Sequence, residues 1–303
     1  MTGTDKRRSD RPMAPLIICG MHRSGTSLIC RALESAGLFV GHEKEHNHEA
    51  VFFQTLNQWM FEQLGAGWDN TCNMRFINDE LAWYFHTVAG NVISGPSAAA
   101  FTGPDSRLRS LFAPDNTIPW GWKDPRNTFT AAVWARLFPG AKLLHVCRNP
   151  LDVADSLRRR EHEILARHKA MLAQLQPEQL DGSMRLQQSP RLFHLEEGLA
   201  LWEEYTRQAF ALEGQFGTRA MRIRYEDFLA DPANELARIA EFAGLAPAAG
   251  QLESAVSQVN PERRCAFTHS AGLLSVYRDY RHRDVMQMLG YDDLHDFASH
   301  SAA

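Results

Sequence analysis

Residues 16–37 read L-I-I-C-G-M-H-R-S-G-T-S-L-I-C-R-A-L-E-S-A-G, with three kinds of signal in unbroken succession. The apolar run Leu16–Cys19 predicts a buried strand, and Gly20 and Gly25 bound a polar turn. From Thr26 onward Leu28, Ile29, Ala32, Leu33 and Ala36 recur at helical spacing, and Gly37 stands where a helix C-terminus wants positive φ. A strand, a glycine turn and a helix in direct sequence aim the unpartnered N–H groups and the positive dipole end of the helix at the turn. That arrangement is a cradle for an anion.

The glycine spacing approaches the phosphate loop G-x-x-x-x-G-K-[ST], with Ser27 in the hydroxyl position. Thr26 stands where the lysine belongs, so Arg23 is the only cation in the loop. The bland alternative is a tight structural turn.

The chain of 303 residues is long enough for a substantial core, and 44% hydrophobic with 22% charged residues is ordinary for a globular protein. A net charge of −4 gives no support to a general nucleic-acid or membrane-surface role, so any anion site is made locally. Five scattered cysteines, two of them in predicted strands, read as reduced residues of a cytoplasmic protein rather than a disulfide framework. Residues 1–14 are charged, lack an apolar core segment and read as a disordered tail, which leaves 15–303 as one domain. No run approaches the ~20 apolar residues of a membrane helix.

Strands alternate with helices along the chain. A polar run, Gly41 to His48, follows the first helix. A helix then carries the apolar stripe Val51, Phe52, Leu56, Trp59, Met60 and Leu64, and another runs from Asn78 to Ile93. Ile118–Lys123 predicts a strand, Phe129–Phe138 a helix, Lys142–Cys147 a strand, and Pro150, with Asn149 as cap, a helix through Lys169. Gln174–Ser189 reads as loop, Leu192–Phe216 as helix, Met221–Tyr225 as strand, and Asp231-Pro232 opens a last helix through Ala243. Continuous apolar strands separated by helices predict an α/β fold with a parallel sheet covered on both faces. Ligands of such sheets bind at the carboxyl ends of the strands, where the loops after Cys19, Lys123, Cys147 and Tyr225 emerge.

Arg148 at a strand end and Ser156 on the following helix form a suitable pair for a second anion, a forked guanidinium and a neutral hydroxyl donor. Two anion sites suit a nucleotide carrying both 5′ and 3′ phosphate groups. Four segments, G-M-H-R-S-G-T-S at 20–27, W-G-W-K-D-P-R at 120–126, H-V-C-R-N-P-L-D-V-A-D-S at 145–156 and R-Y-E-D-F-L-A-D-P at 224–232, together resemble the sulfotransferase family. The resemblance spans roughly residues 15–245. It is closer to the carbohydrate and tyrosylprotein branches than to the cytosolic aryl enzymes, which usually carry lysine in the loop.

The resemblance implies a P-loop-kinase-like sheet flanked by helices, with helical insertions on the acceptor side. It implies sulfuryl transfer from 3′-phosphoadenosine 5′-phosphosulfate (PAPS), without a metal, to a hydroxyl or amine of a carbohydrate or small-molecule acceptor. Arg23, Ser24, Gly25, Thr26 and Ser27 would hold the 5′-phosphosulfate, Arg148 and Ser156 the 3′-phosphate, and Tyr225 would lie near the nucleotide. Arg23 and Lys123 are the candidates for neutralising charge on the leaving phosphate. The histidine base of the aryl branch is replaced by Pro125. Glu43, two residues past Gly41, matches the tyrosylprotein pattern for the base, with Glu45, His46 and Asp124 as rivals.

Other readings compete. His42-Glu43-Lys44-Glu45-His46 is literally H-E-x-x-H, a zinc-protease signature that requires a helix anchored in a core, and residues 41–49 offer no large apolar anchor. A P-loop kinase or NTPase lacks its lysine here, and a non-catalytic nucleotide-binding module would tolerate neutralising Lys123 and Glu43. Arg158–Arg160 reads as a solvated face paired with Glu161 and Glu163, Trp120 and Trp122 as core or pocket wall, and Arg126 as either an anion ligand or a partner of Asp124.

Overall fold

The computed structural model describes residues 13–108, 110–176, 189–257 and 259–293. Nearly all of the tail expected at 1–14 and most of the loop expected at 174–189 lie outside the described residues. Four strands, β1 (Leu16–Cys19), β2 (Gly121–Lys123), β3 (Lys142–Cys147) and β4 (Ala220–Arg224), form a parallel sheet in the spatial order β2-β1-β3-β4. The helices in chain order are α1 (Thr26–Ser35), α2 (Val51–Gln63), α3 (Asp79–Ser94), α4 (Ala99–Thr102), α5 (Asn127–Leu137), α6 (Pro150–Leu172) and α7 (Leu195–Phe216). They continue as α8 (Tyr225–Ala230), α9 (Pro232–Ala243), α10 (Gln251–Val256), α11 (Ala271–Tyr280) and α12 (Asp284–Leu289). This is the α/β, P-loop-kinase-like architecture that the sequence implied.

The chain divides into two compact units, Met1–Cys147 with Thr206–Arg264, and Arg148–Tyr205 with Cys265–Ala303. The first contains the sheet. Side chains alternate across a strand, so the uniformly apolar run 16–19 serves two cores at once. Ile17 and Cys19 join Leu143, Phe53, Trp120, Trp122 and Trp134 on one face, while Leu16 and Ile18 join Leu144, Val146, Ile29 and Leu33 on the other. The first core is aromatic, with Phe53 stacked on Trp122 at 3.9 Å between ring centroids. Trp120 and Trp122 are therefore core residues.

In the second unit, Asn149 caps α6 by accepting from the Leu151 amide at 3.0 Å, with Pro150 in the first turn. Gly198 lets α7 approach α6, since a Cβ there would lie 3.0 Å from that of Ala154. Asp152 accepts from the Phe267 amide at 2.8 Å, tying α6 to the segment before α11.

The structure departs from the sequence expectations in four places. β2 starts at Gly121 rather than Ile118, because Pro119 has no N–H to give a ladder and its carbonyl instead accepts from Phe39. Tyr225 does not end β4 but opens α8, whose first turn carries Glu226 and Asp227 where a helix dipole favours them. The buried stripe of α2 includes Phe53, Asn57 and Phe61, and Trp59 is only partly buried. Arg158 and Arg159 both pair with Asp155, whereas Arg160 pairs with a Glu161 that is buried rather than solvated.

One polar network is fully buried inside the first unit. The Asn57 carboxamide donates to Asp124 Oδ2 at 3.0 Å and Asn127 Oδ1 at 2.9 Å, and accepts from Thr130 Oγ1 and Trp134 Nε1, each at 2.8 Å. Asn127 accepts further from Trp122 Nε1 and donates to the Ile18 carbonyl, both at 3.0 Å. Asn57→Leu keeps the number and branching of the side-chain heavy atoms but strands several buried donors and acceptors. It is expected to lower the unfolding free energy by about 3–5 kcal/mol, seen as a lower urea midpoint at unchanged slope.

A second network sits at the sheet's far edge. His145 Nδ1 lies 2.6 Å from Glu213 Oε1, and Arg222 Nε donates to the same carboxylate at 2.9 Å. Burial alone would push the Glu213 carboxyl up, but the bonds from His145 and Arg222 outweigh it and bring the pKa down to about 2. A carboxyl depressed in the folded state contributes stability that is complete above its unfolded pKa and is lost as pH falls toward the folded one. Urea titrations from pH 6 to pH 2 should therefore show a shallower acid loss of stability in Glu213→Gln than in the wild type, with the variant less stable at neutral pH.

Candidate active site

The turn between β1 and α1 is shaped by residues that the sheet leaves no choice about. Gly20 has φ 138°, and a Cβ there would fall 2.2 Å from the Val146 carbonyl of the neighbouring strand. Arg23 adopts φ 69°, a left-handed conformation unusual for a residue with a side chain, and its side chain is exposed. Ser24 is buried, and both its amide and its hydroxyl go to the Met21 carbonyl, at 3.2 and 2.6 Å, closing the turn. Gly25, at φ 94°, is the N-cap of α1, and its missing side chain makes room for Tyr225, whose ring would be 2.2 Å from a Cβ. Thr26 and Ser27 begin the helix, which has no acidic residue in its first turn. The first turn of α1 thus supplies no carboxylate of its own to neutralise the positive end of the dipole, which suits an anion site.

Ser27 and Lys123 meet at one atom. The Ser27 hydroxyl donates to the Asn47 carbonyl at 2.7 Å, and the Lys123 ammonium donates to the same carbonyl at 2.6 Å. Lys123 ends β2, opposite Ile18, and its side chain is buried. Its counter-charge is Glu49, whose Oε1 lies 2.8 Å from Nζ and which is itself buried. Removing one member of so enclosed a pair costs about 3–5 kcal/mol, because the other charge is left without a partner.

The segment 41–50 that supplies Asn47 and Glu49 is a non-helical turn, pinned by a Lys44–Ala50 bridge and by Glu34 on α1, which accepts from Lys44 and lies 2.6 Å from His48 Nε2. Burial pushes the Glu34 carboxyl up, yet the His48 and Lys44 bonds carry it below its usual range. Glu43, Glu45 and His46 are exposed in this turn, and Glu43 contributes its backbone carbonyl to the Val51 amide. His42 and His46 do not share a helix, so the H-E-x-x-H string lacks the geometry that would bring both rings to one metal. Among the described residues no group of three or more His, Cys, Asp or Glu side chains is arranged to hold a metal ion.

Asp124, the residue after Lys123, is buried and engaged. It accepts from Asn57 and from the Arg126 amide at 2.9 Å, with the Arg126 guanidinium 3.4 Å away. Burial raises its pKa, against the lowering effect of Arg126. Arg126 thus serves as partner of Asp124, and its guanidinium also reaches Gln58 Oε1 at 3.2 Å.

Arg148 and Ser156 belong to the second unit. Arg148 directly follows β3 and precedes the Asn149 cap of α6. Its guanidinium is 3.4 Å from Asp152, and its carbonyl accepts from Trp202 Nε1 at 3.0 Å. Burial raises the Asp152 pKa while Arg148 opposes it. Ser156, half-buried, lies on α6.

Within the first unit the structure brings together the glycine turn, Ser27, Lys123 and Tyr225, four of the elements expected from sequence. Glu49 and Asn57 were not singled out by the sequence reading. Asn57 had a detectable signal, a polar residue at an inward position of an apolar helical stripe. Glu49 had none beyond its place just before the α2 N-terminus.

A model of the sulfotransferase family matches residues 15–248, and the chain belongs to that family. No curated protein sequence matches. Among solved structures, a sulfotransferase from Alicyclobacillus acidocaldarius is 19% identical, covering 95% of this chain and 99% of its own, with a TM-score of 0.46. The sulfotransferase domain of the Synechococcus PCC 7002 olefin synthase is 17% identical over 84% of this chain and 82% of its own, at 0.44. A Mycobacterium avium sulfotransferase is 16% identical over 91% and 78%, at 0.40. Among the described residues no helix is long and apolar enough to cross a membrane.

The contact between Gly25 and Tyr225 is testable by a double-mutant cycle. Gly25→Ala imposes both the left-handed backbone cost of about 1–2 kcal/mol and an overlap with the Tyr225 ring. In the Tyr225→Ala background only the first remains, so thermal unfolding should show the two substitutions to be less than additive by at least about 1 kcal/mol.

Proposed function

We propose that this protein moves a sulfuryl group from PAPS to a hydroxyl or amine of a carbohydrate or small-molecule acceptor. Family membership carries the reaction class, sulfuryl transfer from an activated donor. The observation that supports the finer reading is the shared Asn47 carbonyl, which sets a buried lysine ammonium beside the hydroxyl of an anion-binding helix N-terminus. A loop with an open dipole end, Arg23 at its surface and Lys123 at its base fits a 5′-phosphosulfate.

In this reading the amides of Gly25, Thr26 and Ser27, in the turn that Ser24 closes, bind the 5′-phosphosulfate together with Arg23. Arg148 and Ser156 take the 3′-phosphate. Tyr225, whose ring fills the space beside Gly25, borders the nucleotide. The acceptor oxygen or nitrogen forms a bond to sulfur as the sulfur–oxygen bond to the leaving phosphate breaks, and Arg23 and Lys123 stabilise the negative charge that builds on that phosphate. The acceptor's proton goes to Glu43, whose exposed carboxylate is open to a substrate. Asp124 is a poorer recipient, since its oxygens already accept from Asn57 and Arg126.

Calorimetric titration with adenosine 3′,5′-bisphosphate, beside Mg²⁺-ATP, tests the donor. The bisphosphate should bind the more tightly, and Arg148→Ala should weaken it about ten- to hundredfold, the worth of one or two charge-assisted hydrogen bonds. Preference for Mg²⁺-ATP, or indifference to Arg148, would overturn the reading in favour of a kinase or a binding module.

A further inference from the structure

Lys123 is 1% exposed, and two donors of its ammonium are taken up by a three-residue segment, Asn47 through its carbonyl and Glu49 through Oε1 at 2.8 Å. The other carboxylate oxygen of Glu49, Oε2, accepts from Gln54 Nε2 at 2.9 Å, in the first turn of α2. Glu49 is 4% exposed. A carboxylate with both oxygens held by donors, and closed to solvent, is an anchor rather than a proton acceptor.

We infer that Glu49 is a positioning residue for Lys123: its charge keeps the buried ammonium protonated, and its Gln54-braced carboxylate aims Nζ at the end of the glycine turn. The inference rests on the role given above to Lys123. An isolated lysine removed from water gives up its proton readily, and only the protonated form can neutralise a leaving phosphate. Other charged and titratable groups face the pair. Asp124 and Arg126 come from the turn after β2, and the Cys30 thiol, pushed up to about 12 by burial, comes from α1. Arg126 is already paired with Asp124, and the thiol stays neutral, so Glu49 supplies the compensating charge.

Glu49→Gln keeps the shape and removes the charge. In NMR titrations of labelled lysine side chains, with the Lys123 signal assigned by its loss in Lys123→Met, the variant's Lys123 should titrate at least about three pH units below the wild type. Calorimetry with PAPS itself should give a wild-type affinity that is flat between pH 6.5 and 8.5. In Glu49→Gln it should fall at least tenfold over that range, and Lys123→Met should be equally weak throughout. Adding Glu49→Gln to Lys123→Met should change nothing further, and Glu49→Asp, which keeps the charge, should restore the flat profile.

A Glu49→Gln protein whose Lys123 titrates as in the wild type, with unchanged pH dependence of PAPS binding, would overturn the inference. Lys123→Met binding PAPS at wild-type affinity would instead remove the premise, the role of Lys123, and the inference with it. If Glu49→Gln does not fold, the Glu49→Gln/Lys123→Met double variant decides, because it buries no unpaired charge. Its recovery of a cooperative unfolding transition supports the pairing, and its failure to fold counts against it.

Discussion

Asn57 has two N–H donors and two acceptor lone pairs, and all four are used inside the core, on Asp124, Asn127, Thr130 and Trp134. A carboxamide buried among Phe53, Trp122 and Trp134 would be costly if any of these were missing, and close to neutral when every one is made. Because the partners come from the turn after β2 and from α5, the network fixes α2 against the sheet. Asn127 extends it to the Ile18 carbonyl on β1. With α2 fixed, the residues just before its N-terminus are fixed too, and these are Asn47 and Glu49. The position of the segment beside Ser27 and Lys123 thus follows from a buried polar knot placed about two helical turns further along.

The electrostatics of the turn follow from that placement. Lys123 is neutralised by Glu49, so it adds little to the potential felt at a distance, and the protein as a whole carries −4. In the proposed reaction the attraction for the donor would come from the start of α1, which has no acidic residue in its first turn, and from exposed Arg23. In the same proposed reaction Lys123, buried, would act at short range as a directed donor, while Arg23, exposed, would draw the donor in from solvent.

The parts of this design that were legible in the sequence are those made by neighbours in the chain. The strand, turn and helix over 16–37 are one local pattern, and alternation plus helical spacing were enough to read it. Lys123 at a strand end and Asn149-Pro150 at a helix start were legible for the same reason. Tyr225 departs from the expected strand because β4 runs straight into α8 with no turn between them. Glu49 escaped notice because 41–50 has no regular element. Without a period of 2.0 or 3.6, no spacing rule says which of Glu43, Glu45 and Glu49 turns inward. Pairing with Lys123 across 74 residues of sequence settles it, and such a pairing leaves no trace in local pattern.

The Asn47 carbonyl is the point at which three elements of the first unit meet. An amide oxygen has two lone pairs, and here the Ser27 hydroxyl and the Lys123 ammonium take one each. The α1 N-terminus, the end of β2 and the 41–50 turn are thereby joined through a single atom, so displacement of one alters the hydrogen bonding of the others. An anionic oxygen arriving at the turn would not have to create donors from nothing. It would exchange for Asn47 as acceptor, and an exchange of acceptors costs far less than leaving a buried donor unmade. A closed, internally satisfied site and a site ready to receive an anion are therefore compatible, because the same donors serve both conditions.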